Sequence, residues 1–166
     1  MNLNLIFSQL GFSQKIMQDV ILFLVIVFAS FIFGMLIGRY KLVTVLINIY
    51  VAVALLSVLP EKLFSDYYYR LILFFAIIAG LTFLGKKMFE VPIFGSGKSF
   101  LWRVFAMSFL EVMLALSMAL SIAPKKEALN YISLTSYNYF VSENALIFWM
   151  LAPLVFMFII RKKVSR

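Results

Sequence analysis

Neither cysteine nor histidine occurs anywhere in this sequence. Their absence excludes disulfides, thiolate and imidazole metal sites, Cys–His nucleophiles and imidazole acid–base catalysis. It also removes any redox indication of compartment. Charge is scarce too: 13% of the 166 residues are charged, with 7 acidic side chains against 15 basic ones. A soluble domain carries about 25% charged and about 45–50% apolar residues. Here 64% are hydrophobic and the mean hydropathy is +1.05. Lipid, not water, is therefore the solvent for most of the chain, and its length fits one membrane bundle rather than several domains.

The net charge of +8 would suggest nucleic acid in a soluble protein. No basic run here has a soluble domain to carry it, so nucleic acid is not an expected partner. Beside apolar segments, basic residues instead set orientation and meet anionic lipid head groups.

What the chain has in quantity is long apolar runs. Val20 to Gly38 extends for 19 residues without a charge. At about 1.5 Å per residue it reaches across a hydrocarbon core of about 30 Å. Arg39 and Lys41 end it. A second run, Leu42 to Leu59, stops at Pro60, and a third, Tyr69 to Gly85, stops at Lys86 and Lys87. The fourth, Leu101 to Ala123, ends at Pro124; the fifth, Ala145 to Ile160, contains Pro153 and stops at RKKVSR. These runs are continuously apolar rather than alternating, which points to helices and away from a closed β-barrel. The expectation is an all-α, polytopic membrane helix bundle of about five spans, with four spans and a re-entrant last segment as the alternative. Ahead of the first run, Leu3, Ile6, Phe7 and Leu10 share one helical face. That stretch is expected to be a short interfacial helix or a frayed tail; it has no basic start or A-x-A site to mark a signal peptide.

Lys15, Lys62, Arg70, Lys125 and Lys126 fall on one side of these spans. Arg39, Lys41, Lys86, Lys87, Lys98, Arg103, Arg161, Lys162, Lys163 and Arg166 fall on the other. The positive-inside rule places the larger set in the cytoplasm, so the N-terminus is expected outside and the C-terminus inside. Tyr67, Tyr68 and Tyr69 then open the third span at the outer head-group level, with Ser65 and Asp66 as N-cap candidates. Pro124 to Asn144, with Tyr131, Tyr137, Tyr139 and Phe140, is expected to rest on the outer surface, partly helical.

The segment PIFGSGKS, Pro92 to Ser99, ends like a phosphate-cradling loop, but the first glycine of G-x-x-x-x-G-K-[ST] falls on Pro92. Such a loop needs a strand before it and a sheet around it, and a lipid-facing chain of this length has room for neither. The glycines read as a tight reversal.

Three groups of residues stand out inside the spans. Ser30, Gly34 and Gly38 recur every four residues on the first, the spacing that lets another helix approach closely. Ala115, Ala119 and Ala123 on the fourth span, or Ala76 and Gly80 on the third, are the complements within the bundle; a subunit contact is the other reading. Glu111 lies ten residues into the fourth run, where a carboxyl is costly and marks a functional site by default. Either it belongs to a proton-sensitive or polar path with Asn48, or it is satisfied by Ser30, Asn48, Tyr50 or Ser108. Arg103, two turns earlier at about 12 Å of rise, is too far for a direct pair and is expected at the inner boundary. No paired aspartates, Ser–His couple or metal-ligand set accompanies Glu111, so catalytic, cofactor and metal sites are not expected.

The order of features resembles the colicin V production protein family of small bacterial inner-membrane proteins. An apolar first helix ends in GMLIGRYK, and a moderately polar second follows as LVTVLINIYVAVALLSVL. A third ends in LGKKMF, and a glycine-bearing turn leads to SFLWRVFAMSFLEVMLALSMAL. The likeness covers about Gln18 to Ala123, and Gly34, Gly38, Arg39 and Arg103 are the positions that map. The segment from Ala145 onward is an addition to the usual four helices. The resemblance implies a non-enzymatic role in toxin production or export, or in envelope homeostasis, with no catalytic residues to carry over. A small transporter or channel using Glu111 and Asn48, and a scaffold for envelope assembly, are the competing readings. A homo-oligomer or a larger membrane assembly fits the first and third.

Overall fold

The structure, a computed structural model, describes residues 14–38, 41–60, 66–85 and 98–164. Among these it has seven helices and no strand. They are α1 (Gln14–Ile37), α2 (Leu42–Val58), α3 (Tyr67–Leu84), α4 (Lys98–Ile122), α5 (Lys125–Ala128), α6 (Leu134–Val141) and α7 (Glu143–Val164). The interfacial reading of Leu3 to Leu10, the residues Arg39, Lys86 and Lys87, and most of the PIFGSGKS turn lie outside the described residues.

Each helix stops where backbone chemistry requires it. At the end of α1, Gly38 takes the left-handed conformation (φ +68°) and its N–H reaches the Gly34 carbonyl at 3.1 Å, closing the helix as only glycine does cheaply. α2 ends at Leu59, held extended (ψ 132°) by Pro60. α3 ends at Gly85, whose N–H bonds the Leu81 carbonyl. Asp66 occupies the N-cap of α3, but its side chain makes no capping bond, so that expectation held for position only. Ser133 does cap α6, accepting from the Ser136 N–H at 3.1 Å.

Four helices are long and apolar enough to cross a membrane: Met17–Ile37, Tyr67–Leu84, Leu101–Ile122 and Glu143–Ile160. The fifth expected span, α2, is a 17-residue apolar helix. At about 26 Å it falls short of a hydrocarbon core of about 30 Å. It is also the most enclosed, with Leu42 to Leu46, Asn48, Ile49 and Ala52 all buried. The long helices start earlier than the apolar runs, at Gln14, Tyr67, Lys98 and Glu143 rather than Val20, Tyr69, Leu101 and Ala145. Backbone hydrogen bonding carries each past the point where hydropathy falls. α7 continues as one helix through Pro153 to Val164, which overturns the re-entrant alternative.

α4 is the axis of the bundle, touching α1, α2, α3, α6 and α7. The main core gathers α2 with Phe74 of α3 and with Met107, Leu114 and Met118 of α4. A smaller one sets Ile26 of α1 and Met113 of α4 against Phe140 of α6. α6 is pinned over one end of the bundle, called here the α6 end. The Ser136 hydroxyl donates to Asp19 Oδ1 of α1 (2.6 Å), the Ser117 hydroxyl to the Phe140 carbonyl (2.5 Å), and Trp149 Nε1 to the Tyr139 carbonyl (2.9 Å).

Candidate functional site: a buried carboxyl on the central helix

Met107, Glu111, Leu114 and Met118 recur at i, i+4, i+7 and i+11, so they form one stripe of α4. The three apolar members belong to the main core. Glu111 stands among them, 1% exposed, and neither carboxyl oxygen has a hydrogen-bond partner among the described residues. A polar group so placed costs roughly 2–7 kcal/mol in lost solvation.

Each side chain expected to satisfy Glu111 is bonded elsewhere. The Ser30 hydroxyl donates to the Ile26 carbonyl at 2.6 Å, and Ser108 donates to the Val104 carbonyl at 2.9 Å. These are bonds to the preceding turn of their own helices, the habitual resource of serine in an apolar helix. Asn48 Nδ2 donates to Thr82 Oγ1 at 2.9 Å, tying α2 to α3. The Tyr50 hydroxyl donates to the Met150 carbonyl of α7. The expectation that these groups satisfy Glu111 is corrected on geometry: the donors face other acceptors.

Tyr50 nonetheless packs against the core cluster of Met107 and Leu114, which flank Glu111, and its bond to Met150 has a local cause. Pro153 has no N–H to give the carbonyl four residues earlier, and its ring disturbs the preceding turn. In an apolar medium a proline break is tolerated when a neighbouring helix supplies donors. Tyr50 supplies one to the turn that Pro153 disrupts. Pro153 was visible in the sequence as an interruption; its partner on α2, 100 residues away, carried no sequence signal.

The small-residue stripe divides. Ser30 and Gly34 are buried at the contact with α4. A Cβ on Gly34 would lie 2.7 Å from Ser108 Oγ and 3.7 Å from Val104 Cγ1. The complement of the stripe is thus Ser108 and Val104, not Ala115, Ala119 and Ala123. Gly38 has no described residue within 4 Å of its Cβ position; it terminates the helix instead of packing. Ala76 is exposed, and no described residue approaches the Cβ position of Gly80 within 4 Å, so the α3 pair faces away from the described bundle. Beside the α1–α4 approach a cavity of about 390 Å³ opens between Ser30, Gly34 and Phe105.

Lys41 is half-buried directly before α2, and Arg103 half-buried on the first turns of α4. Arg161, Lys162 and Lys163 extend the backbone of α7, and only their backbone is described. Among the described residues no group of three His, Cys, Asp or Glu is placed to hold a metal ion.

The fold and this geometry define a helical bundle with the properties of an integral membrane protein. Comparison with known protein families, with curated proteins and with solved structures finds no match.

Proposed function

We propose that this chain is a non-enzymatic bacterial inner-membrane protein serving toxin production or export, or envelope homeostasis, through helix contacts with a larger membrane assembly. The resemblance to the colicin V production family supports the setting. The observation that carries the contact reading is α3: Ala76 and Gly80 stand four residues apart on its outward side, and no described residue comes within 4 Å of the Gly80 Cβ position. Small residues in that register let a second helix approach a backbone closely. The bundle's own interior agrees with a contact role. Several of its polar side chains tie one element to another: Asn48 to Thr82, Ser117 to Phe140, Tyr50 to Met150 and Ser136 to Asp19.

The natural absence of cysteine makes the test clean. Gly80→Cys and, as a control, Ile72→Cys are introduced singly and oxidised in native membranes. A discrete cross-linked species from Gly80→Cys, with the same partner recovered stoichiometrically in mild detergent, supports the reading. A Gly80→Cys chain that stays uncross-linked and purifies alone refutes it.

One observation favours a second reading, a small transporter or channel component: the two unpartnered oxygens of Glu111. Asn48 is turned to Thr82, so the path centres on Glu111 alone. Ion or solute flux in reconstituted vesicles that disappears in Glu111→Ala supports it, and unchanged flux removes it.

A further inference from the structure

Glu111 sits eleven residues from the α6 end of α4, and Pro153 ten residues from the same end of α7. At about 1.5 Å per residue both lie about 15–17 Å deep. Pro153 is fully buried, so the proline break faces into the bundle at the level of the carboxyl. Trp149, four residues before Pro153, shares its helical face, and its carbonyl is the one that loses a helix partner to the proline. Tyr50 joins the two halves: its hydroxyl donates to Met150 on the break, and Tyr50, Trp149 and Met150 all pack against the core cluster of Met107 and Leu114, which flank the buried, unpartnered Glu111 carboxyl. With its proton directed at Met150, the Tyr50 oxygen keeps lone pairs as an acceptor.

We propose that Glu111, Tyr50 and the proline break of α7 form a binding site for one monovalent cation, an alkali ion or a proton. The donor set is all oxygen: two from Glu111, the Tyr50 oxygen and the Trp149 carbonyl, which suits hard cations and not soft transition metals. The charge is also matched. One carboxylate neutralises one unit of positive charge, whereas a divalent ion would leave a net charge buried in an apolar core, at severe cost. Among the described residues no other ionisable group shares that depth on the elements packed against α4. Described α1 offers Asp19 at its α6 end, already accepting from Ser136. Described α3 offers Tyr67, Tyr68, Tyr69 and Arg70 in its first turn, α6 offers Tyr137 and Tyr139 at the α6 end, and α4 itself offers Arg103 eight residues toward the opposite end. Described α2 offers only Tyr50, and α7 offers none between Ala145 and Ile160. A cation there links α4 to both sides of the break in α7. The inference deepens the transporter reading by naming the cation, but equilibrium binding stands whether or not the cation is carried across.

The test uses the full chain purified in detergent and a lipid-soluble carbodiimide, which attacks protonated carboxyls in apolar surroundings. Glu111 labelling is followed by peptide mass spectrometry in choline, sodium and potassium chloride and across a pH series. Labelling slowed several-fold by sodium or potassium at fixed pH, with choline inert, identifies an alkali-ion site. Labelling that ignores the salts and falls as pH rises identifies a proton site. Alongside it, the wild-type Tm should rise with the bound cation, as ligand linkage requires, and this rise should vanish in Glu111→Gln. Tyr50→Phe should keep the labelling and weaken the protection several-fold. A labelling rate and a Tm that are both flat across salts and pH overturn the site. Full protection in Tyr50→Phe overturns the ligand set proposed for it.

Discussion

The approach of α1 to α4 at Gly34 offers a quantitative test of how this bundle is held. A methyl group added at Gly34 would lie 2.7 Å from Ser108 Oγ, well inside contact. The hydroxyl cannot swing away freely, because it donates to the Val104 carbonyl at 2.9 Å. Moving it sacrifices a bond worth about 0.5–1.5 kcal/mol, and forcing α1 outward is overpacking, at about 1–3 kcal/mol. Against this stands the gain from replacing a helix-interior glycine by alanine, about 0.8–1.0 kcal/mol. The balance for Gly34→Ala is a net loss of about 1 kcal/mol. In a Ser108→Ala background the offending oxygen is gone. The next atoms are the residue-108 Cβ at 3.4 Å and Val104 Cγ1 at 3.7 Å, ordinary contacts. There the propensity gain stands alone, and Gly34→Ala should be neutral or stabilising by up to about 1 kcal/mol. The coupling expected from the four-protein cycle is therefore about 1–2 kcal/mol, read as reversible unfolding in mixed non-ionic and dodecyl sulfate micelles. Independent sites add within about 0.3–0.5 kcal/mol. If Gly34→Ala costs the same in both backgrounds within that margin, the α1–α4 contact is not where the structure puts it.

Other expectations follow from single features. Gly38→Ala should cost about 1–2 kcal/mol in the same assay, because φ is +68° and no neighbour crowds the Cβ; Gly38→Asn should recover part of it. A cycle between Asn48→Ala and Thr82→Val should return a coupling near 0.6 kcal/mol, the scale of interhelical hydrogen bonds in bilayers. Phe140→Ala removes the ring that packs on Ile26 and Met113 and stacks on Trp149 with centroids 6.1 Å apart. It should cost about 3 kcal/mol and shift Trp149 emission to the red as water reaches the indole.

Much of the fold was legible because the bilayer imposes a one-dimensional code. Apolar runs become helices, and Gly38, Pro60, Gly85 and Pro124 end them for reasons local to the backbone. Depth was legible too, since Glu111 falls in mid-helix by counting alone. What the code does not contain is lateral order. Nothing in the spacing of Ser30, Gly34 and Gly38 distinguishes Ser108 and Val104 from Ala115 and Ala119 as partners, because both sets are small or compact and lie on the same helix. The alanine-glycine face of α3 looks like packing in the sequence, yet turns outward. The Asp19–Ser136 and Tyr50–Met150 bonds join residues more than 90 positions apart. Helix starts were missed by two to six residues because polar residues such as Gln18 and Asp19 end an apolar run without ending a helix.

Hydropathy even points the wrong way about which helix is central. α1 is the most apolar of the four long helices, and 11% of its span window is buried; α4 is less apolar, and 39% of its window is buried. In water the reverse would hold. In lipid, acyl chains are as apolar as leucine, so bulk hydrophobicity gives a helix no reason to leave them. Close approach and polar ties do. Hence Phe23, Phe28 and Leu36 of α1 face outward at 57%, 66% and 80% exposure, while Ser108, Glu111 and Ser117 of α4 are sealed inside. A helix less apolar than α1, and one that carries a carboxyl in mid-span, becomes the axis that other elements surround. That same helix carries the buried acid, so a change of charge at Glu111 acts on the element that α1, α2, α3, α6 and α7 all touch. A carboxyl on α1 or at the outward face of α3 would alter one contact; at Glu111 it bears on the whole bundle.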